Sequence, residues 1–424
     1  MSTPIGFCTG KETGHYHHAN REKYKLKAET SMEAGSALSD DQIAFEKGFG
    51  RIYKFRLTHS HLLKEETMKK SFFNQILTLM FVQAFILGSI LLCQADAKTY
   101  KFNIDTFWGP GYFATKNAVL PCLKAIETES NGQITFKPYY AQSLAKDREG
   151  YDATAMGMVD IYFFTGPNYE TGTMIRGAIF SLPFALPLGK ENVKAASRIM
   201  ETVYKDKVIQ EIDPNVVVIG WGGLSEYRFM TVNKVEKLSD LRGVTIRSSG
   251  GYHDDIIIAA EASPEAMSPG DIYEALEKKI LGGVFHTYAA QYGWGTYKPL
   301  KFATNLGFAT FPYYTVMNKK KFDSLPDNLK AILVENFRKS GAETSLSYYA
   351  SEAQHVPEMG IEQVVISKEA TKEFRKATII PVWKKWIREC EGRNIDWRST
   401  IKSLEAAWIA NNLIPPEEWV DLSK

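Results

Sequence analysis

From Tyr100 onward the chain alternates two hydrophobic patterns. Short runs that alternate apolar and polar residues, or that are apolar throughout, predict strands, and longer stretches with apolar residues three or four apart predict helices. Tyr100-Lys-Phe-Asn-Ile reads as a strand and Phe107-Trp-Gly-Pro-Gly as the loop after it. The helical stretch that follows stops at Ser130-Asn131-Gly132. Pro121 lies inside it and is expected to kink or divide the helix. Gln133-Ile-Thr-Phe-Lys predicts a second strand, Lys146 to Met156 a helix, and Gly157-Met-Val-Asp-Ile-Tyr-Phe a buried strand. Repeated strand–helix units of this kind predict an α/β fold with mostly parallel sheets and helices on both faces.

Val216-Val-Val-Ile-Gly-Trp-Gly-Gly is a buried strand that ends in glycines, whose backbone freedom suits a hinge. The passage from a first lobe (98–225) to a second (226–311) is placed here. The second lobe has strand signals at Tyr227–Val232, Val244–Arg247 and Gly283–Phe285, and helix signals at Asp254–Ala262 and Ile272–Lys279. The chain is expected to return to the first lobe around Phe311–Val316. After Pro326, Leu329, Ile332, Leu333 and Phe337 recur at helical spacing, and small residues through Ala350 are compatible with one long helix. The remainder of 312–424 is expected to add a segment of the second lobe and C-terminal helices.

The first hundred residues differ in kind. Met68-Lys69-Lys70, a mainly apolar run from Ile76 to Leu92, and Gln94-Ala95-Asp96-Ala97 form the basic, apolar and small-residue sections of a secretory leader. The run is short for a bilayer span and lacks basic flanking residues after it. Cleavage after Ala97 and a periplasmic location are expected. The bulky Leu92 before Cys93 weighs against lipid attachment. Residues 1–67 show little periodicity and hold His15, His17, His18, His59 and His61. They read as a solvated, disordered segment or as sequence upstream of a true start at Met68. Beyond Ala97 acidic and basic side chains are equal in number, which argues against nucleic acid or an anionic membrane surface as partner. A monomer is expected. Cys122 and Cys390 leave a disulfide and two separate buried thiols equally open.

Enzyme signatures are missing: no G-x-S-x-G, P-loop, H-E-x-x-H or glycine fingerprint after a strand. His253, His286 and His355 stand in no metal-ligand pattern, and neither metal nor cofactor is expected. The feature with most chemical content is Asp240-Leu-Arg-Gly-Val-Thr-Ile-Arg-Ser-Ser-Gly-Gly. Arg247 falls where a strand gives way to a loop, the place where open α/β sheets bind ligands. Its guanidinium is a rigid fork for a carboxylate, and amides at the start of the next helix add donors. The other reading pairs Arg247 with a local acid such as Asp254, and the residues alone leave both open.

Ser181-Leu-Pro-Phe-Ala-Leu-Pro, the stretch from Val235 to Arg247, Glu261-Ala-Ser-Pro-Glu-Ala-Met and Asp271-Ile-Tyr-Glu-Ala-Leu-Glu follow one another in a specific order. With them the chain, from Phe102 to Trp397, resembles the DctP-like solute-binding proteins of tripartite ATP-independent periplasmic (TRAP) transporters. The resemblance implies a two-lobed periplasmic-binding-protein-like fold with hinge strands and a long lobe-spanning helix. It implies capture of a small carboxylate without catalysis, and delivery to a small and a large integral membrane subunit driven by an ion gradient. Arg247 matches the arginine that holds the ligand carboxylate, and Arg228 a position of a second polar contact. His286 stands where many members carry asparagine; with Gly282, Gly283 and Phe285 around it, this wall departs from the family pattern. Phe107, Trp108, Tyr169, Trp221, Tyr288 and Tyr313 fall at strand exits and are candidate wall residues, Trp108 and Trp221 foremost because glycines adjoin them. Two other classes stay open: an exported enzyme on a small acid, with His286 or Asp271 moving a proton, and a ligand sensor that docks onto a receptor ectodomain.

Overall fold

The computed structural model describes residues 73, 75–80, 82–83, 98–146, 148–166 and 172–422. The chain divides into two units, Met1–Asp96 and Ala97–Lys424. In the first, the described positions between 73 and 83 are helical. The rest of the expected leader, its cleavage point and residues 1–67 lie outside the described residues. No helix among the described residues is long and apolar enough to cross a membrane.

The second unit opens with β1 (Tyr100–Thr106), α1 (Leu120–Glu129), β2 (Ile134–Tyr140), α2 (Gly150–Ala155), β3 (Ile161–Thr165), α3 (Val193–Asp206) and β4 (Val216–Gly223). Pro121 divides the first helical stretch as expected. A π-helical turn, Thr115–Val119, precedes α1, and the proline sits in the first turn of α1, where its missing N–H costs nothing. There follow β5 (Tyr227–Thr231), β6 (Thr245–Ser248), α4 (Tyr252–Ala259), β7 (Ser263–Ala266), α5 (Pro269–Glu277), β8 (Gly283–His286), α6 (Tyr288–Trp294) and β9 (Phe302–Ala309). The chain ends with β10 (Pro312–Asn318), α7 (Lys319–Asp323), α8 (Asp327–His355), β11 (Glu362–Val364), α9 (Lys368–Gly392), α10 (Trp397–Ala410) and α11 (Glu418–Leu422).

Two mixed sheets result, in the orders β2-β1-β3-β10-β4 and β11-β9-β5-β8-β6-β7. The strand–helix–strand units pair parallel, β1 with β2 and β3, and β6 with β7 and β8. The strands entered directly from a strand of the other sheet pair antiparallel: β10 with β3 and β4, and β5 with β8 and β9; β11, reached through α8, pairs parallel with β9. The difference is topological, since parallel neighbours need a crossover helix whereas β5 and β10 are entered directly from the other sheet. The polypeptide passes between the sheets after β4, between β9 and β10, and again between β10 and β11.

The glycines of β4 do different work from that expected of them. None of Gly220, Gly222 and Gly223 has a positive φ. They admit α8: a Cβ on Gly341 would lie 1.9 Å from the Trp221 carbonyl oxygen, and one on Gly220 would lie 2.8 Å from the Phe337 carbonyl oxygen. The small residues that interrupt the apolar repeat of α8, Ser340, Gly341, Thr344 and Ser345, are buried along the same face. A helix backbone lies almost directly on a strand, and larger side chains would hold the two apart. On the other side of β4, α3 buries Ile199, Met200, Val203 and Tyr204 at helical spacing.

The C-terminal helices fasten the loop ahead of α3. Indole N–H groups of Trp383, Trp386 and Trp408 donate to the carbonyls of Pro183, Ile175 and Ala185 at 2.9, 2.7 and 3.0 Å. From α9, Lys385 also reaches Asp255 of α4 at 2.7 Å, so this helix touches elements associated with both sheets. Cys122 and Cys390 are free, buried thiols; burial pushes each up to about 12.

Candidate functional site

A cavity of about 330 Å³ lies where the two lobes face each other, lined by residues from both. The first lobe contributes the loop after β1 (Phe107, Trp108), the end of β3 (Phe164) and Tyr348 of α8. The second contributes the end of β6 (Arg247, Ser248, Ser249), the segment 266–269, His286 at the end of β8, and Trp294. Strands β1, β3, β6 and β8 all meet it with their carboxyl ends, where side chains are held by a rigid sheet while the backbone turns away.

Arg247 is buried, 6% exposed, yet faces this space. Its Nε and one terminal nitrogen donate to the Met267 carbonyl at 3.2 and 3.1 Å, and the other donates to Ser249 Oγ at 3.1 Å. These bonds do not go to Asp254, whose Oδ1 is buried without a hydrogen-bond partner. The Trp294 ring centre is 5.8 Å from the guanidinium carbon.

A hydrogen-bond chain extends from that arginine. The Thr287 backbone N–H donates to His286 Nδ1 at 2.9 Å, which places the imidazole proton on Nε2. His286 Nε2 therefore donates to the Tyr227 hydroxyl at 3.1 Å, and that hydroxyl donates onward to Ser249 Oγ at 3.2 Å. Ser249 Oγ accepts from Tyr227 and from Arg247, which leaves its own proton to give. Arg247 and Ser249 thus present donors to one region of the cavity, suited to an anion. Burial, the Arg247 charge and His253 hold His286 well below the usual imidazole range, so it stays neutral. Burial lowers His253 to about 4, with Arg247 pushing in the same direction against its bond to the Thr310 carbonyl. Burial raises the Tyr227 phenol, so it remains a hydroxyl.

Aromatic rings form the remaining wall. Phe107 stacks on Phe164 with centroids 5.6 Å apart, Phe164 on Phe311 at 5.2 Å with planes 1° apart, and Phe311 on Tyr227 at 6.2 Å. Phe164 holds a φ of 89°, a conformation that bulky residues avoid. It sits where the β3–β10 register shifts, between Tyr314 and Thr315. The strain, about 1–3 kcal/mol for such a residue, turns the ring between Phe107 and Phe311. Gly166 leaves room for this, since a Cβ there would lie 2.4 Å from the Phe311 ring.

Of the residues singled out from the sequence, Arg247, His286, Trp108 and Phe107 line the cavity. Four others do not. Arg228 donates to Glu352 at 3.3 Å and Glu226 at 3.2 Å, and lies over the Tyr288 ring at 4.1 Å. Tyr288 gives its hydroxyl to Gln363 at 2.5 Å. Trp221 stacks on Tyr204 and donates to the Ser197 carbonyl at 3.0 Å, on the α3 side of β4; its flanking glycines serve α8. Tyr313 is a layer behind, edge-on to Trp108 at 6.4 Å, with its hydroxyl 3.4 Å from the Gly341 carbonyl. Tyr169 lies outside the described residues. Sequence reading passed over Tyr227, Phe164, Phe311 and Trp294 as wall residues. Phe164 and Phe311 do end or follow strands, the signal that found Phe107, whereas Tyr227 opens β5. Among the described residues no group of three or more His, Cys, Asp or Glu side chains is placed to hold a metal ion.

Comparison with known proteins agrees with this architecture. Residues 106–389 match DctP, the bacterial extracellular solute-binding protein family 7. The chain belongs to this family. It is 27% identical over 162 residues to an uncharacterized protein, YiiZ, of Salmonella typhimurium, covering 37% of this chain and 48% of that one. It is 22% identical over 282 residues to the C4-dicarboxylate-binding periplasmic protein DctP of Vibrio cholerae, covering 63% of this chain and 80% of that one. The first of these curated relatives is thus spanned over about half its length. Among solved structures, a TRAP solute-binding protein from Rhodoferax ferrireducens, in complex with copurified benzoate, is similar. It superposes with a TM-score of 0.67 at 22% identity, over 74% of this chain and 99% of that one, which shows the two-lobed fold.

Proposed function

We propose that this member of the family captures a small organic carboxylate between its lobes and hands it to the membrane subunits of a TRAP-type uptake system. The observation that carries the reading is Arg247: a buried guanidinium at a cavity between the lobes, oriented by the Met267 carbonyl and Ser249. A carboxylate there gains charge-assisted bonds from Arg247 and a hydroxyl bond from Ser249. Closure of the lobes removes water from around the ion pair, and the ligand favours the closed form because contacts from both lobes are made only in it. The names of the relatives support a carboxylate: one is a C4-dicarboxylate-binding protein and one carries benzoate.

The small and large integral membrane subunits as partners, a monomeric receptor, and export through a leader at 68–97 cleaved after Ala97 belong to the same proposal. Mass spectrometry of the native protein tests the last point, with Lys98 expected as the first residue. A thermal-shift screen of organic acids tests the function, since a ligand that binds only the native state raises its apparent stability. At least one carboxylate is expected to raise Tm and to be recovered chemically unchanged. Stabilisation by neutral amides but by no acid would overturn the reading.

A further inference from the structure

Resting on the carboxylate reading of this site, we infer that its occupant is a flat aromatic monocarboxylate rather than a dicarboxylate.

The first observation concerns charge. Arg228, the other buried arginine of the second lobe, is bound by Glu226 and Glu352 and does not line the cavity. Among the described lining residues the cations are Arg247, buried, and Arg148, exposed. A second carboxylate on the ligand has two fates. It meets Arg148, whose exposed charge is well hydrated and contributes little, or it is desolvated among aromatic rings without a counter-charge, which is costly.

The second observation concerns shape. Phe107, Phe164, Phe311 and Tyr227 form a continuous series of near-parallel rings, with successive planes 28°, 1° and 19° apart. The series spans from one lobe to the other and ends at the anchor, because the Tyr227 hydroxyl bonds Ser249 and Ser249 bonds Arg247. In a benzoate-like acid the carboxylate is conjugated with the ring and lies in its plane, so one flat body meets Arg247 and Ser249 at its edge while its ring packs against the aromatic wall. Trp294 beside Arg247 offers a further apolar surface. A saturated ring of similar size fits the volume but cannot stack.

Calorimetric titration of the purified protein with benzoate, phenylacetate, cyclohexanecarboxylate, succinate and fumarate tests this, with fluorescence of Trp108 and Trp294 as a second signal. The better aromatic acid is expected to bind roughly tenfold more tightly than cyclohexanecarboxylate and than either dicarboxylate. Phe311→Leu, which keeps an apolar side chain but removes one ring of the series, is expected to bring the aromatic and saturated acids to about the same affinity. Tightest binding of succinate or fumarate, abolished by Arg247→Ala, would overturn the inference and leave the carboxylate receptor standing. Equal affinity for cyclohexanecarboxylate and the aromatic acids in the unaltered protein would remove the aromatic part. No heat or fluorescence change with any of the five acids also overturns the inference; the wider thermal-shift screen then decides whether the receptor reading falls with it.

Discussion

Arg247 and Arg228 are both buried on strands of the second lobe, and both have an aromatic ring beside the guanidinium. Their neighbours divide them. Arg228 is held by two carboxylates, Glu226 and Glu352, and the second of these comes from the long helix α8. Arg247 donates to a carbonyl and a hydroxyl, which help fix the fork of its guanidinium at the cavity. Arg228 ties β5 to α8, whereas Arg247 lines the cavity. Residue type and depth of burial are alike, so place in the fold separates the two: one lies between Glu226 and Glu352, and the other faces the cavity.

The largest effect expected from breaking this contrast is on stability. Arg228→Met leaves two partly buried carboxylates without their cation and is expected to cost ~3–5 kcal/mol in urea unfolding, with monocarboxylate affinity much less affected. Arg247→Ala reverses the pattern: a loss of about 2–5 kcal/mol in calorimetric affinity for a carboxylate, with a smaller change in unfolding. An exchange of these two outcomes would assign the roles the other way round.

Acid sensitivity sharpens the picture on the Arg247 side. Folded His253 titrates near 4, against about 6.5 in the unfolded chain. Below pH 6.5 the unfolded chain therefore binds a proton that the native state refuses. The associated stability is fully present above pH 6.5 and falls as pH drops through 6.5 towards 4, by ~3 kcal/mol in all. His253→Asn is expected to flatten the pH dependence of unfolding by that amount across this window. An unchanged slope would mean that the native pocket accepts the proton. The smallest effect on binding is expected at the relay: Ser249→Ala removes one donor and should weaken carboxylate binding by ~1 kcal/mol, with a modest fall in Tm because Tyr227 and Arg247 lose a shared acceptor.

Much of the fold was legible because buried strands and amphipathic helices leave strong periodic signals, as in β4, α3 and the start of α8. Other strands left little. In β9, Asn305 and Gly307 interrupt the run, and its strand character comes from pairing with β5. Pro264 hides β7, which tolerates it as the edge of its sheet. Arg247, His286, Phe107 and Trp108 line the cavity, as their place at strand ends suggested. Arg228 and Trp221 were misplaced because their surroundings are set by distant residues, Glu352 and Gly341, that local sequence does not bring to mind. The glycines beside Trp221 carried a real signal of close approach, but what approaches is a helix.

Phe164 ties folding and recognition to a single peptide. Its ring completes the aromatic wall only because its backbone occupies a disfavoured conformation. Selection for a sturdier protein would favour glycine there, and selection for a discriminating cavity would favour the bulky ring. Any homologue that has relaxed this position is expected to be the easier one to fold and the less choosy one about what it carries.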